Sequence, residues 1–352
     1  MGHNLVSFDL GSHTIHMVCG KHNKGGFEIR NAVLKPAPEG ILKDGRIENF
    51  HLLKEAIQNL MAENKIKDKN TVLTIQSTSV ITRDITLPSV KQEELGNMVK
   101  YEIEQYLPIV ATEYVIEYTL IEEVIEDGIR QSRIQVAAMP KNMVENYLNL
   151  LKEAGLKPIA LDIHSNAVAK LFSNAVTINR ENYAPDKTIA FIDLGYCSIN
   201  IHILSRGKLA FSRIITLGAS EIDLEISTVC GLTQEQAEAK KIREANLERQ
   251  KDEMSSSNPI QDILRSKLDI WLFEIQKIFR YYISRTTGNR IDGIYLFGGS
   301  SKLKGLPGYM EQALNMKTSR IDRLGGIRTD RDMESFCEGD YINALGGLIR
   351  YE

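Results

Sequence analysis

The sequence predicts an α/β protein built as two related lobes around one cleft, and three observations lead there. The first is a repeat. Phe8-Asp9-Leu10-Gly11-Ser12-His13-Thr14-Ile15 returns near mid-chain as Ile192-Asp193-Leu194-Gly195-Tyr196-Cys197-Ser198-Ile199. In each copy an apolar strand ends in Asp-Leu-Gly, two free positions and a hydroxyl residue follow, and apolar residues resume as in the returning strand of a hairpin. The second is a further glycine-rich turn, Gly298-Gly299-Ser300-Ser301, between an apolar strand and a helix. The third is the alternation of short apolar runs with segments of helical period along most of the chain.

The chemistry of the repeat is that of an anion clamp. An Asp at a strand end can hold the water shell of Mg2+ without touching the metal. The glycine lets the backbone approach an anion, and turn N–H groups with a Ser or Thr hydroxyl can cradle phosphate oxygens. Two such hairpins face to face would grip phosphates between two half-molecules. A single Asp-Leu-Gly carries little information, and Gly298-Gly299-Ser300-Ser301 alone reads as an ordinary strand-to-helix loop. The three together favour a nucleotide cleft. No G-x-x-x-x-G-K-[ST] run occurs, nor a G-x-G-x-x-G after a strand, so the P-loop and dinucleotide routes are closed.

Length and composition agree. The 352 residues suffice for two domains or one bilobed one, and 43% hydrophobic with 25% charged residues supports a sizeable core. A net charge of −3 does not call for nucleic acid. Cys19, Cys197, Cys230 and Cys337 are scattered without metal-ligand spacing and read as reduced thiols of a cytoplasmic protein. No signal segment and no membrane-spanning run is apparent, so membrane contact is expected through a partner.

In chain order, residues 5–18 and 27–34 read as strands. A helix follows from about Ile47 to Asn64, with Phe50, Leu53, Ile57, Leu60 and Met61 on one face, then a buried strand Val72–Ile75. From Val80 to about Asp162 the pattern becomes strand (80–87, closed by Pro88), helix (91–107), strands near 114–124 and 133–138, helix (141–154, ended by Gly155) and strand (158–162). It reads as one inserted α+β unit. Glu102 falls in that unit's first helical stripe and reads as an edge carboxylate paired with a nearby base.

A helix at 165–173 leads to a polar link, 179–187, the best boundary between halves. The repeated hairpin (188–204), a strand (208–216), a helix opened by Gly218 and another capped by Thr233 come next. Residues 248–258 read as a mobile charged loop. A long helix (260–284) carries the single Trp271 inward, then come strand 293–297, a helix at 306–315 and a last segment, 341–350, whose Ala344-Leu345-Gly346-Gly347 permits close helix crossing.

Glu238 and Lys241 lie one helical turn apart and either face a ribose and base or form a solvated ion-paired surface. His13 and His16 find no partners for a zinc set and read as structural or solvent-exposed. Nothing resembles a Ser-His-Asp, Cys-His or paired-carboxylate hydrolase arrangement.

The order hairpin, Ser165 helix, hairpin, Gly-Gly-Ser-Ser turn and Ala-Leu-Gly-Gly helix resembles the phosphate-1, connect-1, phosphate-2, adenosine and connect-2 motifs of the actin-like ATPases. The resemblance implies two RNase H-like lobes, and the insert stands where the cell-division protein FtsA carries its 1C subdomain. A narrower resemblance covers essentially the whole chain. Leu87-Pro88, Glu93-Glu94-Leu95, Tyr101-Glu102-Ile103-Glu104, Tyr106-Leu107-Pro108, Ala138-Met139-Pro140-Lys141, Gly155-Leu156-Lys157-Pro158 and Leu161-Asp162 are similar to the PilM family of type IV pilus assembly proteins.

That resemblance implies a cytoplasmic, ATP-binding adaptor at the inner face of the membrane. It would hold the N-terminal cytoplasmic tail of the membrane protein PilN in a groove between subdomains 1A and 1C. It implies that Asp9, Gly11, Ser12, His13 and Thr14 meet the phosphates from one side and Asp193, Gly195 and Ser198 from the other. Glu238 and Lys241 would lie by the ribose and base, Gly298, Gly299 and Ser300 under the adenosine, and Asp9 and Asp193 would hold Mg2+ through water. The implied division is 1A over 1–81 and 164–184, 1C over 82–163, 2A over 185–230 and 291–338, 2B over 231–290, and a terminal helix over 339–352 returning to 1A.

Two departures qualify it. His164-Ser165 stand where several filament-forming relatives have Glu-Pro, so rapid hydrolysis is not expected. The chain ends at Glu352 without the membrane-targeting helix of FtsA, so indirect membrane contact is expected. The alternatives are a small-molecule kinase of the same fold, which needs a base that the sequence does not reveal, and an FtsA-like filament tether.

Overall fold

A computed structural model describes residues 4–350 except 91, 107–108, 127, 175, 184, 249–257, 286–287, 330–332 and 334–335. The first lobe opens with the meander β1 (Leu5–Leu10), β2 (Thr14–Asn23) and β3 (Gly26–Pro36). Then come the short pair β4 (Leu42–Lys43) and β5 (Arg46–Ile47), helix α1 (Phe50–Glu63) and β6 (Asn70–Ile75). Asn49 accepts a hydrogen bond from the Leu52 N–H and caps α1, and Ile47 belongs to β5, so the helix starts three residues later than its apolar period suggests.

The chain then leaves the lobe as β7 (Ile81–Pro88), α2 (Gln92–Tyr106), β8 (Tyr114–Glu126) and β9 (Ile129–Pro140), and returns as α3 (Lys141–Glu153), β10 (Lys157–Ile163) and α4 (His164–Phe172). A hairpin of β11 (Val176–Ile178) and β12 (Glu181–Tyr183) leads into the second lobe. That lobe contains β13 (Thr188–Leu194), β14 (Ile199–Ser205), β15 (Lys208–Ile215), α5 (Ala219–Cys230), α6 (Gln234–Glu244), α7 (Pro259–Ser284), β16 (Gly293–Phe297), α8 (Leu306–Leu314) and β17 (Thr318–Arg320). The last strand, β18 (Ile327–Thr329), and helix α9 (Ile342–Leu348) rejoin the first lobe.

The strand orders of the two large sheets match. The first runs β10-β6-β1-β2-β3-β18 and the second β17-β16-β13-β14-β15. In each, the hairpin strand bearing Asp-Leu-Gly pairs parallel to its neighbour on one side and antiparallel to its return strand on the other. Asp9 stands opposite His16 and Asp193 opposite Asn200, one pair before the turn in both cases. The repeat in the sequence is thus a repeat in space.

Packing divides into four apolar clusters. One fills the second lobe around α7, with Trp271 2% exposed. A second lies under α1 and α3 in the first lobe, and a third under α2 in the insert. The fourth joins the lobes: α4 (Val168, Leu171, Phe172) and α9 (Ala344, Leu345, Leu348) pack with Leu5 and Val72 of one sheet and Ile189 and Phe191 of the other. At the α4–α9 crossing a Cβ on Gly346 would stand 2.2 Å from the Ala167 carbonyl oxygen, so only glycine lets the helices meet there.

Two expectations need correction. The inserted unit ends at Pro140, because its sheet is only β7-β9-β8. Helix α3 packs in the first lobe's cluster, and β10 pairs parallel to β6. The pattern strand-helix-strand-strand-helix-strand could not reveal that its last two elements belong to another sheet. The polar stretch 179–187 is not a bare link. Asn179 and Arg180 turn the β11–β12 hairpin with positive φ, and the Asn179 side chain accepts hydrogen bonds from the Asp322 and Arg323 N–H groups. The charged run 248–258 lies almost wholly outside the described residues. None of the four cysteines is bonded to another, and no helix among the described residues is long and apolar enough to cross a membrane.

Candidate functional site

The lobes face each other across a cleft of about 780 Å3, and every residue the sequence singled out lines it: Asp9, Gly11, Ser12, His13, Thr14, Asp193, Gly195, Ser198, Glu238, Lys241, Gly298, Gly299 and Ser300. The two hairpin turns close alike. Gly11 N–H donates to the Thr14 carbonyl at 3.0 Å, and Gly195 N–H donates to that of Ser198 at the same distance. The third glycine turn is pressed against the second hairpin. Gly298 has φ 83°, and a Cβ there would fall 2.2 Å from Asp193 Oδ1. Gly299 beside it has open space where a Cβ would be. A short 3-10 turn over Gly299–Lys302 follows, in which Ser301 Oγ donates to the Gly298 carbonyl at 2.6 Å.

Asp9 and Asp193, both buried, meet at the base of the cleft through two residues that come from the interlobe helices. His164, first residue of α4, donates from Nε2 to Asp9 Oδ1 at 2.8 Å, and its Nδ1 lies 3.9 Å from Asp193 Oδ2. Asn343 of α9 donates from Nδ2 to Asp9 Oδ2 and to Asp193 Oδ2, each at 3.2 Å. Asn200 adds a longer bond to Asp193 at 3.5 Å and accepts from Gln76 Nε2.

Burial penalises all three ionisable groups here, but to different ends. Burial alone would raise Asp9; the charge and hydrogen bond of His164 outweigh it and hold Asp9 below the usual carboxylate range. Burial likewise disfavours the His164 imidazolium, and Asp9, then Asp193, more than compensate, so its pKa is raised. Asp193 is raised, by burial first, with the negative charge of Asp9 adding to it and His164 only partly offsetting it. The site therefore couples Asp9 and His164 as mutually stabilising partners, beside a carboxyl whose ionisation burial opposes.

At the mouth of the cleft the turns touch. The His13 ring stacks on Tyr196 with centroids 4.1 Å apart and planes at 17°, and its Nε2 is 3.0 Å from Glu238 Oε1. These contacts tie the turn of the first hairpin to the opposite lobe. Lys241 departs from the expectation of a solvated face. Its ammonium is bound to Asp223 Oδ1 at 2.6 Å in a pair that is almost fully buried, so its charge is already matched where the residue lines the cleft. A sequence period marks which residues share a helix face but not which side chain on the next helix will claim a charge.

The residues fit a hydrated cation between phosphates and carboxylates. Asn343 Oδ1, Gln76 Oε1 and His16 Nδ1 are buried on the cleft wall without hydrogen-bond partners. Such orphaned atoms next to two carboxylates would find partners in the waters of a Mg2+ shell. Among the described residues no three His, Cys, Asp or Glu converge as a direct ligand set. Sequence reasoning missed Asn343, Gln76, Asn200 and Tyr196. Asn343 directly precedes the Ala-Leu-Gly-Gly run and was within reach; the others had no local signal.

Comparison with known proteins agrees with this geometry. The family model of the type IV pilus assembly protein PilM matches residues 7–337. A solved PilM-PilN type IV pilus biogenesis complex contains a chain 21% identical, superposing at TM-score 0.82 over 98% of this chain and 97% of that one. The ethanolamine utilization protein EutJ from Carboxydothermus hydrogenoformans follows at 13% identity and TM-score 0.59, covering 98% and 89%. MreB 5 of Spiroplasma citri, solved bound to AMPPNP, is 13% identical at TM-score 0.53, covering 98% and 94%. The fold is that of the actin-like ATPases, and, with the family model spanning nearly its whole length, this chain belongs to the family of the type IV pilus assembly protein PilM.

Proposed function

We propose that the chain is an adaptor of a type IV pilus inner-membrane assembly complex whose cleft holds ATP with Mg2+. The observation that carries this reading is the pair of equivalent turns, 11–14 and 195–198, facing one cleft with their aspartates joined at its base. Asp9, Gly11, Ser12, His13 and Thr14 would meet the phosphates from the first lobe, Asp193, Gly195 and Ser198 from the second. Gly298, Gly299 and Ser300 would lie under the adenosine and Glu238 near the ribose. Lys241 would hold α6 in place through Asp223 rather than touch the base.

When bound, Mg2+ would supply positive charge to the phosphates. Asp9 and Asp193 would hold its water shell, with Gln76, Asn200 and Asn343 completing the polar wall. His164, engaged with Asp9, supplies no carboxylate to orient an attacking water, so turnover would be slow or absent.

The partner would be the cytoplasmic tail of a PilN-like membrane protein, which the solved PilM-PilN complex of the same family supports. The tail would lie in a groove between subdomains 1A and 1C, and the protein would sit at the inner face of the membrane through that contact. With the insert ending at Pro140, 1C would span 81–140, and 1A would regain α3 and β10.

Titration of ATP·Mg2+ by calorimetry, with phosphate release followed in parallel, tests the reading. Binding to the unchanged protein that is lost in Asp9→Ala and in Asp193→Ala is expected. Retained affinity in both variants would overturn the nucleotide assignment. Nucleotide should also change affinity for the tail peptide about 5–150-fold, a coupling of about 1–3 kcal/mol. Equal affinity with ATP, ADP and neither would leave the adaptor without a nucleotide switch.

A further inference from the structure

Behind the cleft lies a second cavity, of about 340 Å3, where the insert, the first lobe and the second lobe meet. Its walls are the edge strand β7, the edge strand β15, the end of α7 and the start of α4. Gln76, His164 and Ile214 line both cavities and so form the partition between them.

Three guanidinium groups border this space: Arg83 from β7, Arg213 from β15 and Arg285 at the end of α7. Arg213 and Arg285 both sit over the Phe211 ring, at 5.7 and 6.0 Å from its centroid. Among the described residues none of the three forms an ion pair, whereas Arg133, Arg290, Arg320 and Arg350 all do. Among the described residues Asp84 is the only acidic one on the wall, and it is already held by Arg133 at 3.3 Å and by Gln135 at 3.2 Å.

A fourth group points to a ligand independently. His202 lines the cavity, is 2% exposed, and is bonded through Nδ1 to Ser212 Oγ at 3.0 Å, while its Nε2 is buried without a partner. Burial, followed by the charge of His164, lowers its pKa to about 3, so the ring is neutral. Either group can donate in the bond between Ser212 and Nδ1, so what the geometry fixes is a buried polar ring atom, Nε2, that lacks a partner. Uncompensated guanidinium forks around a concave wall concentrate positive potential and match the oxygen pairs of phosphate and carboxylate groups.

We propose that this second cavity is a binding site for a small multivalent anion bearing phosphate or carboxylate groups, held by Arg83, Arg213 and Arg285 with His202 at its wall. A volume of about 340 Å3 is at the lower end of small-ligand pockets, the size class of a compact polyanion rather than of the extended tail proposed above for the groove between 1A and 1C. The site does not depend on the nucleotide reading, since none of these four residues lines the cleft.

The test is calorimetric titration of the full chain with inorganic pyrophosphate and, separately, with citrate, at an ionic strength of about 0.15 M. Hydrogen exchange on the same samples locates whatever binds. Binding of either probe, with protection of 81–84 and 210–214 and at least a tenfold loss in the Arg83→Ala/Arg213→Ala/Arg285→Ala variant, is expected. The probe that binds identifies phosphate or carboxylate as the preferred group. Because the three side chains are exposed, the variant should fold, and Arg213→Glu alone should weaken binding more than Arg213→Ala. Neither probe binding, equal affinity in the triple variant, or protection confined to the 11–14 and 195–198 turns would overturn the proposal.

Discussion

Asn343→Asp is the most direct probe of how the two lobes share their aspartates. The change keeps the shape of the side chain and replaces an amide nitrogen that lies 3.2 Å from both Asp9 and Asp193 with a carboxyl oxygen. Two hydrogen bonds to carboxylates are lost, and a third negative charge arrives in a site where all three side chains are buried. At about 4 Å and an effective dielectric constant near 20, each like-charge contact costs about 4 kcal/mol. Two such contacts, together with the desolvation of a further buried charge, exceed the cost of protonating the new carboxyl even with the attraction of His164, whose Nδ1 lies 3.3 Å from the substituted atom, set against them. From an ordinary pKa of about 3.9, protonation at about pH 7.5 costs about 1.36 kcal/mol per unit, or about 5 kcal/mol. That value caps the electrostatic penalty, and the introduced carboxyl should therefore be neutral in the folded state. The destabilisation should be about 5 kcal/mol near pH 7.5 and shrink by roughly 1.4 kcal/mol per unit as pH falls. For a protein whose total stability is of order 5–15 kcal/mol this is a large fraction. Urea unfolding at about pH 7.5 and 5.5, followed by circular dichroism for both lobes and by the single Trp271 for the second, measures it. A loss under about 1 kcal/mol at the higher pH, or one that does not change with pH, would refute the reasoning.

Other expectations follow from individual contacts. Gly346→Ala gains about 1 kcal/mol of helix propensity, but its Cβ would press on the Ala167 backbone, which cannot yield as a side chain does, so net destabilisation of about 2 kcal/mol or more should appear in thermal unfolding. Lys241→Ala strands the carboxylate of Asp223 and should cost about 3–5 kcal/mol. Lys241→Met with Asp223→Leu should recover most of that in a double-mutant cycle. His202 is buried with a pKa of about 3 against 6.5 when unfolded, so its contribution to stability is complete above pH 6.5 and is lost as pH falls toward 3. Measured against His202→Gln, the wild type should therefore lose about 1.4 kcal/mol per unit between roughly pH 6 and 4.5, and parallel pH profiles would contradict this.

The parts of the molecule that were legible in the sequence are those whose cause is local. Strand β1 and its copy β13 announce themselves because an apolar run, an Asp-Leu-Gly turn and a hydroxyl recur in one order, and a hairpin needs no distant partner to close. The α7 face was legible because Ile263, Leu264, Leu268, Trp271, Leu272 and Ile275 keep helical spacing. Strand β10 was misassigned because a strand's sequence tells that it pairs, not with what; its partner β6 lies more than eighty residues earlier, across the insert. The Lys241–Asp223 pair was hidden for the same reason at the scale of one side chain, since Asp223 sits on a different helix.

The least legible feature is also the one that gives the cleft its character. The two hairpins are equivalent in register, in turn hydrogen bond and in the depth of their aspartates, so a symmetric site would be expected from the repeat. The pair is made unequal by a residue outside the repeat. His164 approaches Asp9 to 2.8 Å and Asp193 only to 3.9 Å, so it holds Asp9 below its usual range while burial raises Asp193, an effect that His164 only partly offsets. His164 stands at the start of α4, which together with α9 joins both lobes' cores, and its ring also walls the second cavity. Because α4 follows β10 of the first lobe's sheet while Asp193 lies on β13 of the second, a rotation of one lobe on the other would alter the His164–Asp193 separation. The charge of Asp193 would then depend on the angle between the lobes, and a cation that requires both carboxylates ionised would favour one angle over others.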